Sequence, residues 1–200
     1  MANILDTGKL NWKPNLMILF ILLLFTSFTQ SGDQKTWDAD SPLTWQDYKA
    51  VEKDKSFNSN THSNTLVGEI HRYRRLKSDS NSYQFDFQVK SVMIRSKSWV
   101  DPAYKTSALL AHEQLHFDIS AYFAKKLLIA LQNGTYSKDF LNEMQDIRHR
   151  LSIQRNTMEN LYDERTVHSN DKLMQAKWST YVHSILTSNE SLEKDLERQP

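Results

Sequence analysis

One stretch of 29 residues, from Thr106 to Gly134, limits what this chain can fold into more than any other feature. It has the length and the apolar content of a long α-helix. Thr106 or Ser107 can cap its start, and Asn133 with Gly134 can end it. Its first turns are apolar on nearly every face, and a helix of this kind is buried. The fold must therefore be built around this helix.

The same helix contains the pattern His-Glu-x-x-His. His112 and His116 lie one turn apart on one stripe of the helix, close enough to hold one metal ion. A catalytic zinc site takes three protein ligands and keeps one position for water. Glu113 lies about 100° round from His112 and can take a proton from that water as a general base. The histidines could instead be core residues, but burying three polar side chains costs several kcal/mol unless each of them is hydrogen-bonded. The pattern therefore predicts a zinc site.

A third ligand has to come from elsewhere in the chain. The sequence has no cysteine, so disulfides, thiolate nucleophiles and Cys-based zinc fingers are excluded, and the ligand must be His, Asp or Glu. In one zincin class a Gly and a third His follow the second His at three and six residues. Here Ile119 and Tyr122 occupy those positions, which excludes that class.

The stretch from Tyr162 to Asn170 predicts a break between two helices. A loop residue can point at a site that a helix face does not reach, so this stretch is an attractive source of the third ligand. It could also be a capped turn, with Asn170 capping the next helix, and both interpretations can hold together. The candidates from this stretch and from the preceding helix are Asp163, Glu164, His168, Glu143 and Glu159.

Strands precede the long helix, and two further helices follow it. The segments Thr65–Arg75 and Tyr83–Arg95 have strand composition and predict a hairpin, and a shift of apolar parity in the second one indicates a bulge or a bend. Amphipathic periodicity predicts helices over Tyr136–Leu161 and Asp171–Leu186. Strands followed by helices indicate an α+β fold, in one domain over residues 43–187.

The N-terminus predicts export. Lys9 and Lys13 precede the apolar run Leu16–Phe28, which is too short to span a bilayer comfortably but fits the apolar part of a secretory signal. We therefore interpret residues 1–29 as a signal peptide, with an uncleaved N-terminal anchor as the alternative. In either case the protein is exported, to the periplasm or outside the cell, and it is attached to a membrane only if this segment is uncleaved.

Composition and charge bound the remaining segments and the class of partner. Residues 30–42 are polar and predict a flexible linker, and residues 188–200 form a charged tail. The formal net charge is +1, so no electrostatic argument favours a nucleic acid as partner.

Two segments resemble an uncharacterised family of exported bacterial proteins, domain of unknown function family 922, which is similar to zincin-type metallopeptidases. They are Ser98–Leu127, which contains "HEQLHFDI", and Tyr162–Trp178, which begins with "YDERTVH". The stretch "LTWQDYKAV" also looks like the opening region of that family. The resemblance covers most of the chain from Leu43 to about Ile185.

The resemblance implies a zincin-like fold and a role for each matching residue. His112 and His116 would bind zinc, and Glu113 would be the general base. His168 would be the third zinc ligand. Tyr162 would donate a hydrogen bond to the developing oxyanion.

Three other positions qualify this assignment. Leu115 and Ser169 stand where many members of the family have Gly. Leu115 is compatible with zinc binding, and Ser169 is a departure from the family at the turn after His168. Asp118 lies about 240° round the helix from His112, away from the metal, which predicts a structural hydrogen-bond acceptor and not a base.

These patterns together predict an exported zinc-dependent peptidase whose partner is a peptide or protein substrate. Glu113 would activate the water that attacks the peptide carbonyl, and the strand before the long helix would line the cleft and pair with an extended substrate. The alternative is a non-enzymatic exported binding module on a zincin-like scaffold, with or without a metal. A weaker alternative is a small membrane-anchored structural protein.

Overall fold

A computed structural model describes residues 32–51, 57–68, 70, 72–76 and 81–187. The predicted signal peptide and the predicted charged tail lie outside these residues. Within the described ranges, no helix combines the length and the apolar character needed to cross a membrane.

Antiparallel strands make up the first half of the described chain, and three helices follow, so the predicted α+β fold class is confirmed. Short 3₁₀ turns connect some of these elements. The strands and helices are β1 (Gln34–Thr36), β2 (Ser59–Asn60), β3 (Ser63–Val67), β4 (Tyr73–Arg75), β5 (Tyr83–Phe85), β6 (Val89–Ile94), β7 (Trp99–Val100), α1 (Ser107–Asn133), α2 (Phe140–Thr166) and α3 (Lys172–Thr187).

All strand pairs are antiparallel among the described residues. A three-stranded sheet has the order β1-β6-β3, and β2 pairs with β7 while β4 pairs with β5. The predicted hairpin is present as two ladders, with Val67 opposite Val89 and Tyr73 opposite Phe85. The register shifts by two residues between these ladders. The change of apolar parity lies within β6 itself, where the four consecutive residues 91–94 are all buried.

The segment predicted as a flexible linker contains a strand instead. Gln34–Thr36 pairs with β6, and the Trp37 N–H donates to Ser91 O at 2.9 Å. The prediction of flexibility is therefore wrong for this part. An edge strand takes its hydrogen-bond partners from the neighbouring strand, so its exposed side chains can be polar.

Asp118 accepts bonds from Trp37 Nε1 at 2.8 Å and from Gln114 Nε2 at 2.7 Å, which confirms its predicted structural role.

Helix α1 begins and ends close to the predicted residues. The Thr106 side chain caps it by accepting a hydrogen bond from the Leu109 N–H at 3.1 Å. Gly134 ends it, and a Cβ there would overlap the Tyr136 hydroxyl group, so this position has no room for a side chain. Most of the helix is buried between the sheet and the two other helices.

The three helices pack around a shared apolar core. Ile119 of α1, Met158 of α2 and Trp178 with Val182 of α3 are almost completely buried there. Trp178 and Val182 therefore lie on the buried face of the last helix. This packing brings the C-terminal half of α2 against the N-terminal half of α1.

Helix α2 continues further than the sequence predicts. The predicted break starts at Tyr162, whereas the helix ends at Thr166. Tyr162 and Thr166 are both fully buried, one turn apart, and the Thr166 hydroxyl donates to Tyr162 O at 2.7 Å. Core packing of these two side chains stabilises the extra turn, and Asp163 consequently lies on a helix.

A tight turn joins α2 to α3. Residues 167–169 have φ angles of 50°, 47° and 74°, all in the left-handed region that non-glycine residues adopt at a cost. Helix α3 is capped by Asp171, which accepts a bond from the Met174 N–H at 2.9 Å. The proposed cap Asn170 instead donates its side-chain N–H to Val167 O.

Candidate metal centre

A cleft of about 430 Å³ lies between the N-terminal half of α1, the last turns of α2 and the segment 57–61. Helix α1 contributes His112, Glu113 and His116 to its wall, as the helical spacing predicts. Helix α2 contributes Asp163 from its final turn. The site is therefore formed by elements that are far apart in the chain.

Three potential ligand atoms converge in this cleft. Asp163 Oδ1 lies 3.1 Å from His112 Nε2 and 3.0 Å from His116 Nε2, and ligand atoms of the three residues lie within 4.8 Å of one another. Tetrahedral zinc has metal–ligand distances of about 2.0 Å, which separates its ligand atoms by about 3.3 Å. Two imidazoles and one carboxylate at these separations fit zinc in both donor chemistry and spacing.

The buried ring of His112 is oriented by two residues behind it. Gln175 Oε1, on α3, lies 3.1 Å from His112 Nδ1 and accepts the Tyr162 hydroxyl at 2.8 Å. An amide oxygen only accepts, so this bond takes a proton on His112 Nδ1, and Nε2 is directed at Asp163 in the cleft. The Tyr162 ring also stacks on the His112 ring, with centroids 4.6 Å apart.

Asp163 dominates the electrostatics of the site. Burial alone would lower the pKa of His116, but the hydrogen bond to Asp163 and its negative charge outweigh burial and raise that pKa to about 9. Burial would raise the pKa of Asp163, but hydrogen bonds from His112 and His116 hold it well below its ordinary value. Asp163 is thus ionised, and its negative charge favours the protonated form of His116.

Glu113 is buried beside the two histidines, with 4% of its surface exposed. The Ser59 hydroxyl donates to its Oε1 at 2.5 Å, and the Thr61 hydroxyl donates to its Oε2. Tyr48 in turn hydrogen-bonds to Thr61 Oγ1 at 2.7 Å. Both carboxylate oxygens therefore have fixed partners from the segment that lines the cleft.

His168 lies at the rim of the cleft and outside the converging group. Its Nδ1 is 3.7 Å from Asp163 Oδ1, and 57% of its side chain is exposed. The reason is the extra turn of α2, which places Asp163 opposite the histidine pair and leaves His168 in the following turn. Asp163, and not His168, is therefore the third residue of the converging group.

The three glutamate candidates take other positions. Glu143 accepts bonds from Ser137 near the start of α2, and Glu164 is exposed. Glu159 lines the cleft but forms an ion pair with Arg155 at 3.0 Å. None of them is part of the converging group.

The structure also changes the role expected of Tyr162. Its side chain is completely buried, and its hydroxyl is hydrogen-bonded to Gln175 Oε1 and to His112 O. This hydroxyl does not face the cleft, so it supports the His112 ring and is not placed to donate to a substrate oxyanion.

Sequence reasoning missed Gln175 and the hydroxyls around Glu113. Ser59 and Thr61 belong to a polar stretch with loop composition, and Gln175 is one of many polar residues on an amphipathic helix. The spacing of Ser59 and Thr61, two residues apart, was the one available signal, since it places both side chains on one side of an extended segment.

Comparisons with protein-family models, with curated proteins and with solved structures found no match to this chain. The resemblance to domain of unknown function family 922 therefore stays a prediction, and the case for function depends on the geometry of the cleft.

Proposed function

We propose that this chain is an exported zinc-dependent peptidase of zincin-like character. The observation that carries the proposal is the convergence of His112 Nε2, His116 Nε2 and Asp163 Oδ1 beside the buried carboxylate of Glu113. In this assignment the first three residues are the zinc ligands, and Glu113 is the general base.

The hydrogen-bond pattern supports a cation at this point. The Nδ1 of His112 donates its proton to Gln175, and its Nε2 faces a carboxylate oxygen 3.1 Å away. Two lone pairs at this distance repel each other unless a proton or a cation lies between them. A metal ion bound by all three groups satisfies every lone pair at once.

The residues divide the work of hydrolysis. When bound, zinc would polarise a peptide carbonyl and make a water molecule more acidic. Glu113 takes a proton from the attacking water and delivers it to the leaving amine. Gln175 and Tyr162 keep the His112 ring in the orientation that zinc binding needs.

The segment 57–61 lines the cleft, and the described residues of the predicted hairpin of Thr65–Arg75 and Tyr83–Arg95 do not. Asn58 O accepts the Asp101 N–H at 2.8 Å, and β2 pairs with β7. In an antiparallel pair the residues between such bonded positions direct their backbone groups to the other edge. Within the described part of the chain, the backbone of Ser59 and Thr61 is thus available to an extended peptide that adds to this edge, which supports a peptide as the substrate class.

The proposal is tested with purified protein, a peptide library and elemental analysis. We expect wild-type protein to contain one zinc per chain, and Glu113→Gln to keep the zinc and lose hydrolysis. A Glu113→Gln variant that cleaves peptides normally would show that the mechanism is wrong. Zinc in the wild type without any hydrolysis would favour the non-enzymatic binding module.

The choice of ligand is tested separately. Asp163→Ala should lose zinc under conditions in which the wild type retains it. His168→Ala is the matched control and should keep its zinc, because its ring lies outside the converging group. Full zinc in Asp163→Ala, or loss of zinc in His168→Ala alone, would overturn the assignment.

A further inference from the structure

We propose that Ser59, Thr61 and Tyr48 are positioning residues that hold the carboxylate of Glu113 toward the cleft. The inference rests on the proposed function, since it concerns the base of that reaction. It assigns a role to three residues that neither the sequence pattern nor the metal geometry identifies.

The first argument is the direction from which Glu113 is held. Its two carboxylate oxygens each accept one hydroxyl, from Ser59 and Thr61, and both donors belong to one extended segment. A carboxylate offers about four lone-pair sites, so two remain after these bonds are made. Because the donors lie on one side and Glu113 lines the cleft, the remaining sites serve a water molecule there.

The second argument is the order of the hydrogen bonds. Thr61 has one hydroxyl proton and donates it to Glu113, so its oxygen can only accept from Tyr48. Burial, aided by the charge of Glu113, raises the pKa of Tyr48 well above its ordinary value, and its hydroxyl therefore keeps the proton. The chain from Tyr48 through Thr61 to Glu113 has a single direction, and each bond polarises the next.

The third argument is that the same segment borders the substrate cleft. Ser59 and Thr61 direct their hydroxyls to Glu113, while their backbone faces the edge to which an extended peptide would add. A displacement of this segment would therefore move the carboxylate. Misplacement of a reacting group by about 1 Å can cost about 10²-fold in rate.

The kinetic test compares Thr61→Val with Thr61→Ser. Thr61→Val removes the hydroxyl at nearly constant volume, and we expect kcat to fall about 10- to 100-fold with KM and zinc content little changed. Thr61→Ser restores the hydroxyl and should recover most of kcat. Thr65→Val, the same change on β3, is the matched control and should keep wild-type kcat. Equal kcat in Thr61→Val and wild type would overturn the inference.

A structural test does not require turnover. Crystal structures of zinc-free Thr61→Val and Thr61→Ser should show the Glu113 carboxylate displaced in the first variant and in its wild-type place in the second. An undisplaced carboxylate in Thr61→Val would overturn the inference even if the wild type cleaves no peptide. If Thr61→Val does not fold, Ser59→Ala and Tyr48→Phe carry both tests with the same expectations.

The two proposals fail in different ways. Normal hydrolysis by Glu113→Gln refutes Glu113 as the base and leaves its hydrogen bonds unaffected. Loss of hydrolysis in Glu113→Gln together with unchanged kcat in Thr61→Val refutes only the positioning role.

Discussion

At the scale of single residues, the properties of the site depend on the partner of each polar atom. Asp163 Oδ1 faces the Nε2 atoms of both histidines, and Gln175 Oε1 is hydrogen-bonded to the other ring nitrogen of His112, Nδ1. A metal-binding imidazole needs such a partner, because the bond to its second nitrogen sets the tautomer and the ring orientation. The same contacts determine how the site responds to mutation and to pH.

Gln175 should be required for tight zinc binding although it touches no metal. Gln175→Leu removes the acceptor of His112 Nδ1 and of the Tyr162 hydroxyl, and we expect zinc affinity to fall about 10- to 100-fold. Competition with a chromogenic chelator measures the zinc affinity of each variant. Gln145→Leu, on an exposed position of α2, is the control, and equal affinity in the two variants would refute the role of Gln175.

The stability of the metal-free protein should depend on pH through His116. Its pKa is raised from about 6.5 to about 9, so the protonated ring stabilises the fold fully below about pH 6.5, and this contribution is lost as the pH rises through about 9. The lowered pKa of Asp163 adds stability that is present above about pH 3.8 and is lost as the pH falls toward its lowered pKa. The Tm in EDTA should therefore decrease from pH 6.5 to 9.5, and Asp163→Asn should flatten this decrease. A wild-type Tm that is constant over this range would contradict the expectation.

At the scale of elements, the ends of the helices control the site more than their middles do. The last turn of α2 places Asp163 beside the histidines, and the Thr106 cap sets the residue at which the helix that carries His112 and His116 begins. Both ends depend on particular side chains, and the consequences of changing them can be measured.

Gly134 should not tolerate even a methyl group. Its φ is −68°, so the restriction is one of space and not of backbone conformation. A Cβ there would overlap the Tyr136 hydroxyl and ring, and this hydroxyl donates to Leu131 O at 2.7 Å. Gly134→Ala should lower the free energy of unfolding by about 1–3 kcal/mol in urea titrations. A variant as stable as the wild type would show that Tyr136 can move aside freely.

Replacing Ser169 with glycine should stabilise the protein. Its φ of 74° lies in the left-handed region, where a side chain costs about 1–2 kcal/mol, and the added entropy of glycine in the unfolded chain offsets about 0.5–1 kcal/mol of that. Ser169→Gly should therefore raise the free energy of unfolding by about 0.5–1 kcal/mol. Ser152→Gly in the middle of α2 is the control and should lower it, and destabilisation by both changes would argue against a left-handed Ser169.

At the scale of the whole molecule, the first described residues are part of the fold that holds the site helix. Strand β1 extends the sheet, and Trp37 reaches α1 through Asp118. The Leu43 N–H donates to Gln114 Oε1 at 2.6 Å, which ties the following turn to the same helix. The outer face of α1 is thereby covered by chain that precedes it by about 70 residues.

Trp37→Phe should test this attachment. The change keeps an aromatic ring but removes the N–H that donates to Asp118, and we expect a loss of about 1–2 kcal/mol in the free energy of unfolding. Zinc content should stay unchanged, because Asp118 lies on the face of α1 away from the site. Loss of zinc without loss of stability would be inconsistent with a purely structural role for this contact.

The α+β class, the limits of α1 and the presentation of His112, Glu113 and His116 on one helix all follow from the sequence alone. These features are local: helical periodicity, capping residues and the spacing of four residues suffice to predict them. The structural role of Asp118 followed from the same angular argument.

The residues that complete the site are identified by the packing of the folded chain. Asp163 takes the place predicted for His168 because burial of Tyr162 and Thr166 extends α2 by one turn, a packing effect that composition does not reveal. The partners of Glu113 and His112 come from positions 52 to 63 residues away in the chain. Polar side chains in loops and on helix surfaces look alike in sequence, and only the packing of the helices and the cleft segment brings these particular ones together.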